Sequence, residues 1–275
     1  MKKIWFFVLI INAFVFIQVF PMESNLKMNL YNQGTDLFQQ AVNTRLSNSE
    51  DAVNLYEDSL LRFLQLSESV QNGKLYYNIG NIYFHLDDIG RAILSYRKAE
   101  LLIPGDSNLK ENLKIARNYR VDAINEKESS RIMETLFFLH YNLSTTFKAV
   151  IFGIAFVFTW ISAAILLFKR KIPVSLFQIF FTSTVVFSSL ALIFLGSVLI
   201  DTMELKNHPG GVITVDAIIA RKGDGLSYSP SFQDPLHSGL EFTLINERSG
   251  WYYIELSDSS RTWIPETAAS LVLLD

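Results

Sequence analysis

The chain contains no cysteine. Disulfide staples, thiolate catalysis and the commonest zinc sites are therefore excluded together. Histidine is scarce as well: His85, His140, His208 and His237 stand isolated from one another, and no His-Glu-x-x-His pair, phosphate-cradling glycine loop or nucleophile elbow occurs. Adjacent acids such as Glu57 and Asp58 point apart on a helix and read as a solvated face. Positive charge is short at the C-terminal end, where five Lys or Arg face 11 Asp or Glu from Asp201 onward. Such a segment repels phosphate backbones, so nucleic acid is not an expected partner. With no catalytic constellation and no implied cofactor or metal, the expectation is a binding protein and not an enzyme.

Uncharged runs dominate what is present. Lys2 and Lys3 precede a 17-residue uncharged stretch at 4–20, the basic-then-apolar order of a secretion signal. The small residues of a cleavage site are missing around "VFPMES". Residues 1–22 thus read either as a signal peptide or as an uncleaved N-terminal anchor. Two further runs, at 149–168 and 172–200, carry no charge and reach the length of about 20 residues that a bilayer needs. The predicted transmembrane helices are 149–168 and 174–200. Between them lies "KRK" at 169–171, and the tendency of short basic loops to stay cytoplasmic puts both flanking segments on the outer side of the membrane. Ser and Thr in "FTSTVVFSS" suit helix contacts inside the membrane, or bonds back to their own helix. Ahead of the first run, "RIMETLFFLHYNLS" sets Ile132, Leu136, Leu139 and Leu143 on one stripe, which suits either the membrane surface or packing on neighbouring helices.

Between signal and spans, "NGKLYYNIGNIYFHLDDIGRAILSYRKAELLIPGD" carries a different rhythm. Tyr76, Ile79, Gly80 and Tyr83 follow one helical face, and Ala92, Tyr96 and Ala99 follow another. "LDDIG" breaks the period, with Asp87 or Asp88 available to cap the second helix, and Pro104 ends it. This spacing over 73–106 resembles the tetratricopeptide repeat, a hairpin in which small residues let two helices cross closely. Since one hairpin cannot bury its own apolar face, a second copy is expected. Ala52, Tyr56 and Ser59 repeat the spacing of Ala92, Tyr96 and Ala99, and Gly34 with Leu37 stands for Gly80 with Tyr83. The insertion "NTRLSNSE" either extends the first helix or loops out. Leu109, Leu113 and Ala116 mark a capping helix, giving a repeat domain at 28–126. Stacks of this kind bind extended peptides along their first helices. That wall would carry Lys74, Tyr77, Asn78, Asn81 and Phe84, with Asn78 and Asn81 able either to read a peptide backbone or to bond a neighbouring helix.

After "KNHPGG" the pattern alternates with period two, as in a small all-β unit at 212–275. In "WYYIEL", Tyr252, Ile254 and Leu256 are the expected core face. Gly250-Trp251 and Trp263-Ile264-Pro265 resemble marks of a bacterial SH3-like β-barrel, although Thr262 stands where glycine is common. The resemblance implies peptide or cell-wall binding on exposed aromatics, here Tyr228, Trp251 and Trp263, unless these rings merely cover the barrel's end.

The order of signal, repeats, two spans with a basic loop, and barrel resembles the BatE-type members of the bacterial Bat aerotolerance family. The fold class so implied is a multidomain membrane protein with an α-helical tetratricopeptide repeat stack, two transmembrane helices and a small SH3-like barrel. The family implies a non-catalytic scaffold in an envelope complex, with membrane-anchored von Willebrand A-domain Bat proteins and a MoxR-type ATPase as partners. The alternative is a cell-wall-binding sensor that uses the barrel.

Overall fold

The computed structural model describes residues 25–122, 137–167 and 173–274. The expected signal or anchor at 1–22, the basic loop at 169–171 and the stripe residues Ile132 and Leu136 lie outside these residues. The chain divides into two compact units, 1–88 and 89–274. The division falls in the "LDDIG" turn, so the two helices of the expected 73–106 hairpin belong to different units.

The first unit is helical. Helix α1 spans residues 25–44, α2 runs Ser49–Ser67 and α3 runs Gly73–His85. The two expected outcomes for "NTRLSNSE" are each met in part: Asn43 and Thr44 extend α1, residues 45–47 form the turn, and Asn48 leads into α2. Asn48 then caps α2, its side chain accepting from the Asp51 amide at 3.2 Å, and Asn72 caps α3, accepting from the Lys74 amide at 2.8 Å. The positions picked out by spacing are interior: Ala52, Tyr56 and Ser59 are each at most 1% exposed. The Ser59 hydroxyl donates to the Gly34 carbonyl at 2.7 Å. A Cβ on Gly34 would lie 3.0 Å from the Phe63 ring, so α1 and α2 cross closely at this glycine. At the far end of α3, Asp87 takes a left-handed conformation (φ 63°). Its amide donates to the Phe84 carbonyl and that of Asp88 to the Tyr83 carbonyl. These two bonds close a Schellman motif, so Asp87 ends α3 in the position glycine usually fills.

The second unit opens with α4 (Ile89–Leu102) and α5 (Ser107–Asn118). Pro104 stands just beyond α4, as expected of a helix stop. Ala92, Ala99, Leu109, Leu113 and Ala116 are all buried. A helical turn at Phe138–Tyr141 leads to the long helices α6 (Thr145–Leu166) and α7 (Val174–Asn207). Both are long and apolar enough to cross a membrane. They begin and end differently from the uncharged runs, because α6 includes Lys148 in its first turn and α7 continues seven residues past Ile200. Phe158 and Phe187 stack between them at 5.2 Å. Thr182 and Thr184 donate back to the Gln178 and Phe180 carbonyls, so these hydroxyls are satisfied within their own helix.

The C-terminal segment is antiparallel β-structure. Strands β1 (Gly210–Ile213), β4 (Glu241–Arg248), β5 (Trp251–Leu256), β6 (Arg261–Pro265) and β7 (Ala269–Leu271) make a sheet of order β6-β5-β4-β1-β7, and β2 (Ala217–Ile218) pairs with β3 (Leu236–His237). The β4–β5 hairpin turns on Ser249 and Gly250, both at positive φ, the geometry that matches the twist of the flanking strands. Tyr252, Ile254 and Leu256 point inward, at most 7% exposed, and meet Ile213, Leu240, Phe242 and Ile264 in one apolar core. Beginning at Gly210, the sheet packs directly on α4. A Cβ on Gly90 would stand 2.8 Å from the Ile213 carbonyl, and Gly239, at φ 86°, fits under Arg120 and Ile93.

Candidate functional site

Helix α3 separates its residues into two faces. Leu75, Tyr76, Ile79 and Ile82 are buried. Lys74 is exposed, and Tyr77, Asn78, Asn81 and Phe84 are half-buried on the other side. The five expected groove residues therefore share one helical face, spaced by three or four positions. The Lys74 ammonium stands 5.8 Å from the Tyr77 ring centre.

Beside this face lies a cluster that local sequence patterns do not reveal. His85 stacks on Tyr56 at 4.9 Å and tilts against Phe38 at 5.7 Å. Arg45, from the inserted turn, donates to His85 Nδ1 at 2.9 Å. Burial first, and the Arg45 charge second, push the imidazole below its ordinary range, so the ring is held neutral. Tyr56 is 1% exposed, and its hydroxyl has no hydrogen-bond partner among the described residues.

On the sheet, Trp251 and Trp263 share the outer face with a third ring. Tyr253 pairs with Trp263 across β5 and β6, and the two stack at 4.9 Å. Trp251 lies opposite Pro265, and Glu255 holds Arg261 at 2.6 Å at the other end of the ladder. The result is an aromatic strip closed by an ion pair. Tyr228 is 48% exposed on the β2–β3 connection, and its carbonyl accepts from Arg221 Nη1 at 2.7 Å. The alternation of "WYYIEL" had already put Tyr253 on the outer face, but its stacking partner is set by strand register. Thr262, at the position where glycine is common, is buried and donates to the Arg221 carbonyl at 3.0 Å, which ties β6 to the preceding connection.

Two charged clusters hold the second unit together. Glu241 receives Arg117 through two nitrogens at 2.7 and 2.9 Å, with Arg97 and Arg120 each at 3.3 Å. Burial alone would raise the Glu241 carboxyl, but the Arg117 hydrogen bond and the three guanidinium charges hold it below the usual range. Asp122 binds both the amide and Nδ1 of His237 nearby. Where α6 meets α7, Lys148 is 2% exposed and donates to Asp201 at 2.7 Å. Thr145 donates to the same carboxylate at 2.7 Å, and His140 joins Ser197 at 2.7 Å. Burial of this ion pair is tolerable only because each partner is also hydrogen-bonded. Lys148 and Asp201 bound the uncharged runs in sequence; their pairing across 53 residues needed the fold.

Among the described residues, no group of three His, Asp or Glu side chains is placed to hold a metal ion. Comparison with protein-family models, curated proteins and solved structures returned no match for this chain.

Proposed function

We propose that the chain is a non-catalytic, membrane-anchored scaffold of the Bat aerotolerance type, which binds protein partners through a tetratricopeptide repeat stack. The observation that carries this reading is the face of α3, where Asn78 and Asn81 lie half-buried one turn apart, between Lys74, Tyr77 and Phe84 and opposite a fully buried side. An amide side chain donates and accepts at once, which suits an extended peptide backbone. The close crossing of α1 and α2 at Gly34 and Ser59 supports the repeat assignment. Membrane-anchored von Willebrand A-domain Bat proteins and a MoxR-type ATPase system are the partners this reading names.

Replacing Asn78 and Asn81 by Ala tests it. Ala is the better helix former, so thermal stability holds. At about 1 kcal/mol for each lost hydrogen bond, partner affinity falls roughly tenfold to thirtyfold. A double variant that loses stability as well as binding would show that the amides are structural.

The aromatic strip favours a second reading, a cell-wall-binding sensor that uses an SH3-like barrel. Deleting the sheet would not separate the two, because Glu241 and Gly239 pack on α4 and α5. Point variants do. Trp263→Ala in the full chain abolishes retention on purified cell wall if the sensor reading holds, and leaves partner capture unchanged if the scaffold reading holds.

A further inference from the structure

A cavity of about 560 Å³ lies in the second unit, walled by α4, α5, the Phe138–Tyr141 turn, the adjoining ends of α6 and α7 and the start of β1. Its size is that of a small-molecule site, roughly 300–1,000 Å³. Its level is set by the Lys148–Asp201 pair, which lines it and stands where the charge-free part of the two long helices stops. From Lys148 to Leu166 helix α6 rises about 27 Å at ~1.5 Å per residue, close to the hydrocarbon thickness of a bilayer. The cavity therefore opens at headgroup depth under the two-span reading of the chain. Tyr141 (45% exposed) and Leu205 (38%) edge it with exposed apolar surface, as befits that boundary.

Its walls carry opposite charge. Arg97, Lys110 and Arg117 line the side made by α4 and α5, together with Glu100, which Arg97 holds in an ion pair, so this wall keeps a net positive charge. The two arginines share Glu241 with Arg120, whereas Lys110 Nζ donates at 2.6 Å to a neutral acceptor, the Asn142 side-chain oxygen. On the side made by α7, Asp201 is occupied by Lys148 and Thr145. Glu204, one turn further along, is exposed and has no side-chain partner among the described residues. A cation with a neutral partner thus faces a carboxylate with none, across a space at headgroup depth.

We propose that this cavity binds the headgroup of a zwitterionic membrane phospholipid bearing a primary ammonium, with its phosphate toward Lys110 and its ammonium toward Glu204. The inference rests on the two-span reading and adds to it a lipid that the repeat helices, spans and sheet grip together. A trimethylated headgroup has no N–H to donate to Glu204, and a glycerol headgroup has no cation to offer it.

The full chain, extracted in mild detergent, is titrated with phosphatidylethanolamine, phosphatidylcholine or phosphatidylglycerol and read by native mass spectrometry. Phosphatidylethanolamine binds about tenfold more tightly than the other two, the worth of one charge-assisted bond. Lys110→Gln weakens all three lipids. Glu204→Gln weakens phosphatidylethanolamine alone and brings it level with phosphatidylglycerol. Both side chains are exposed, so circular dichroism of the two variants matches the parent. Glycerophosphoethanolamine, which has the same headgroup without acyl chains, fails to displace the lipid; displacement at equal concentration would assign the site to a soluble phosphate ester and overturn the proposal. Equal binding of the three lipids, or indifference to both substitutions, would overturn it too. Release of the chain from membranes by alkaline carbonate would instead sink the two-span reading itself.

Discussion

Tyr56 and His85 show how one side chain sets the character of its neighbours. The Tyr56 ring is fully buried and stacked on His85, but its hydroxyl is taken out of water without a partner among the described residues, which costs free energy instead of supplying it. Tyr56→Phe keeps the stack and removes the stranded hydroxyl. The variant melts at the same temperature as the parent or higher, with a gain up to about 1 kcal/mol, whereas Tyr56→Leu forfeits the stack and costs roughly 2–3 kcal/mol. Far-ultraviolet circular dichroism during heating reads both. His85 adds a pH dependence of definite sign. Burial and Arg45 depress its folded pKa, so the unfolded chain binds the proton more readily. The His85 contribution is present above the unfolded value of about 6.5 and is lost as pH falls through the lower folded value. Melting curves between neutral pH and pH 5 therefore show an acid loss of stability that His85→Phe diminishes; an unchanged slope would mean that the ring takes up its proton as readily in the fold as in the unfolded chain.

At the scale of helices and strands, close approach decides. Gly34→Ala gains up to ~1 kcal/mol of helix propensity but presses a methyl 3.0 Å from the Phe63 ring, and the two effects roughly cancel. Gly34→Leu cannot be accommodated against a ring that is itself 1% exposed, and overpacking costs about 2–3 kcal/mol. A Leu variant as stable as the Ala variant would place the α1–α2 crossing elsewhere. Much of this element level was legible in the residues. Ala52, Tyr56 and Ser59 copied a spacing that only a close helix crossing requires, and the alternation of Tyr252, Ile254 and Leu256 has a single inward face. What escaped were pairings without a local period: Arg45 with His85, Arg97, Arg117 and Arg120 with Glu241, and Lys148 with Asp201. Each links segments at least 40 residues apart. Complementary charge has no sequence rhythm to betray it, and Lys148 looked only like the edge of an apolar run.

For the whole molecule, the Glu241 cluster constrains which side of a membrane each part occupies. Arg97 and Arg117 precede the two long helices and Glu241 follows them, yet they touch. Under the two-span reading, helices α4 and α5 and the sheet therefore share one side, with an even number of crossings between them. Helix α7 carries the connection. Its 34 residues rise about 51 Å, some 20 Å more than a bilayer core, so under the two-span reading its last turns reach past the hydrocarbon to headgroup level and lead into Pro209 and β1 beside α4. The two-span reading takes the side from the basic run at 169–171 in the sequence, because short basic loops tend to stay in the cytoplasm. Phosphatase reporters fused near Asn125 and after Asp275 are accordingly active in the periplasm, and one fused at Lys171 is silent. Activity at Lys171 with silence at the other two would invert the topology but leave the Glu241 contact intact. Activity at only one of the two flanking positions would put α4, α5 and the sheet on opposite sides, which the Arg117–Glu241 bond forbids.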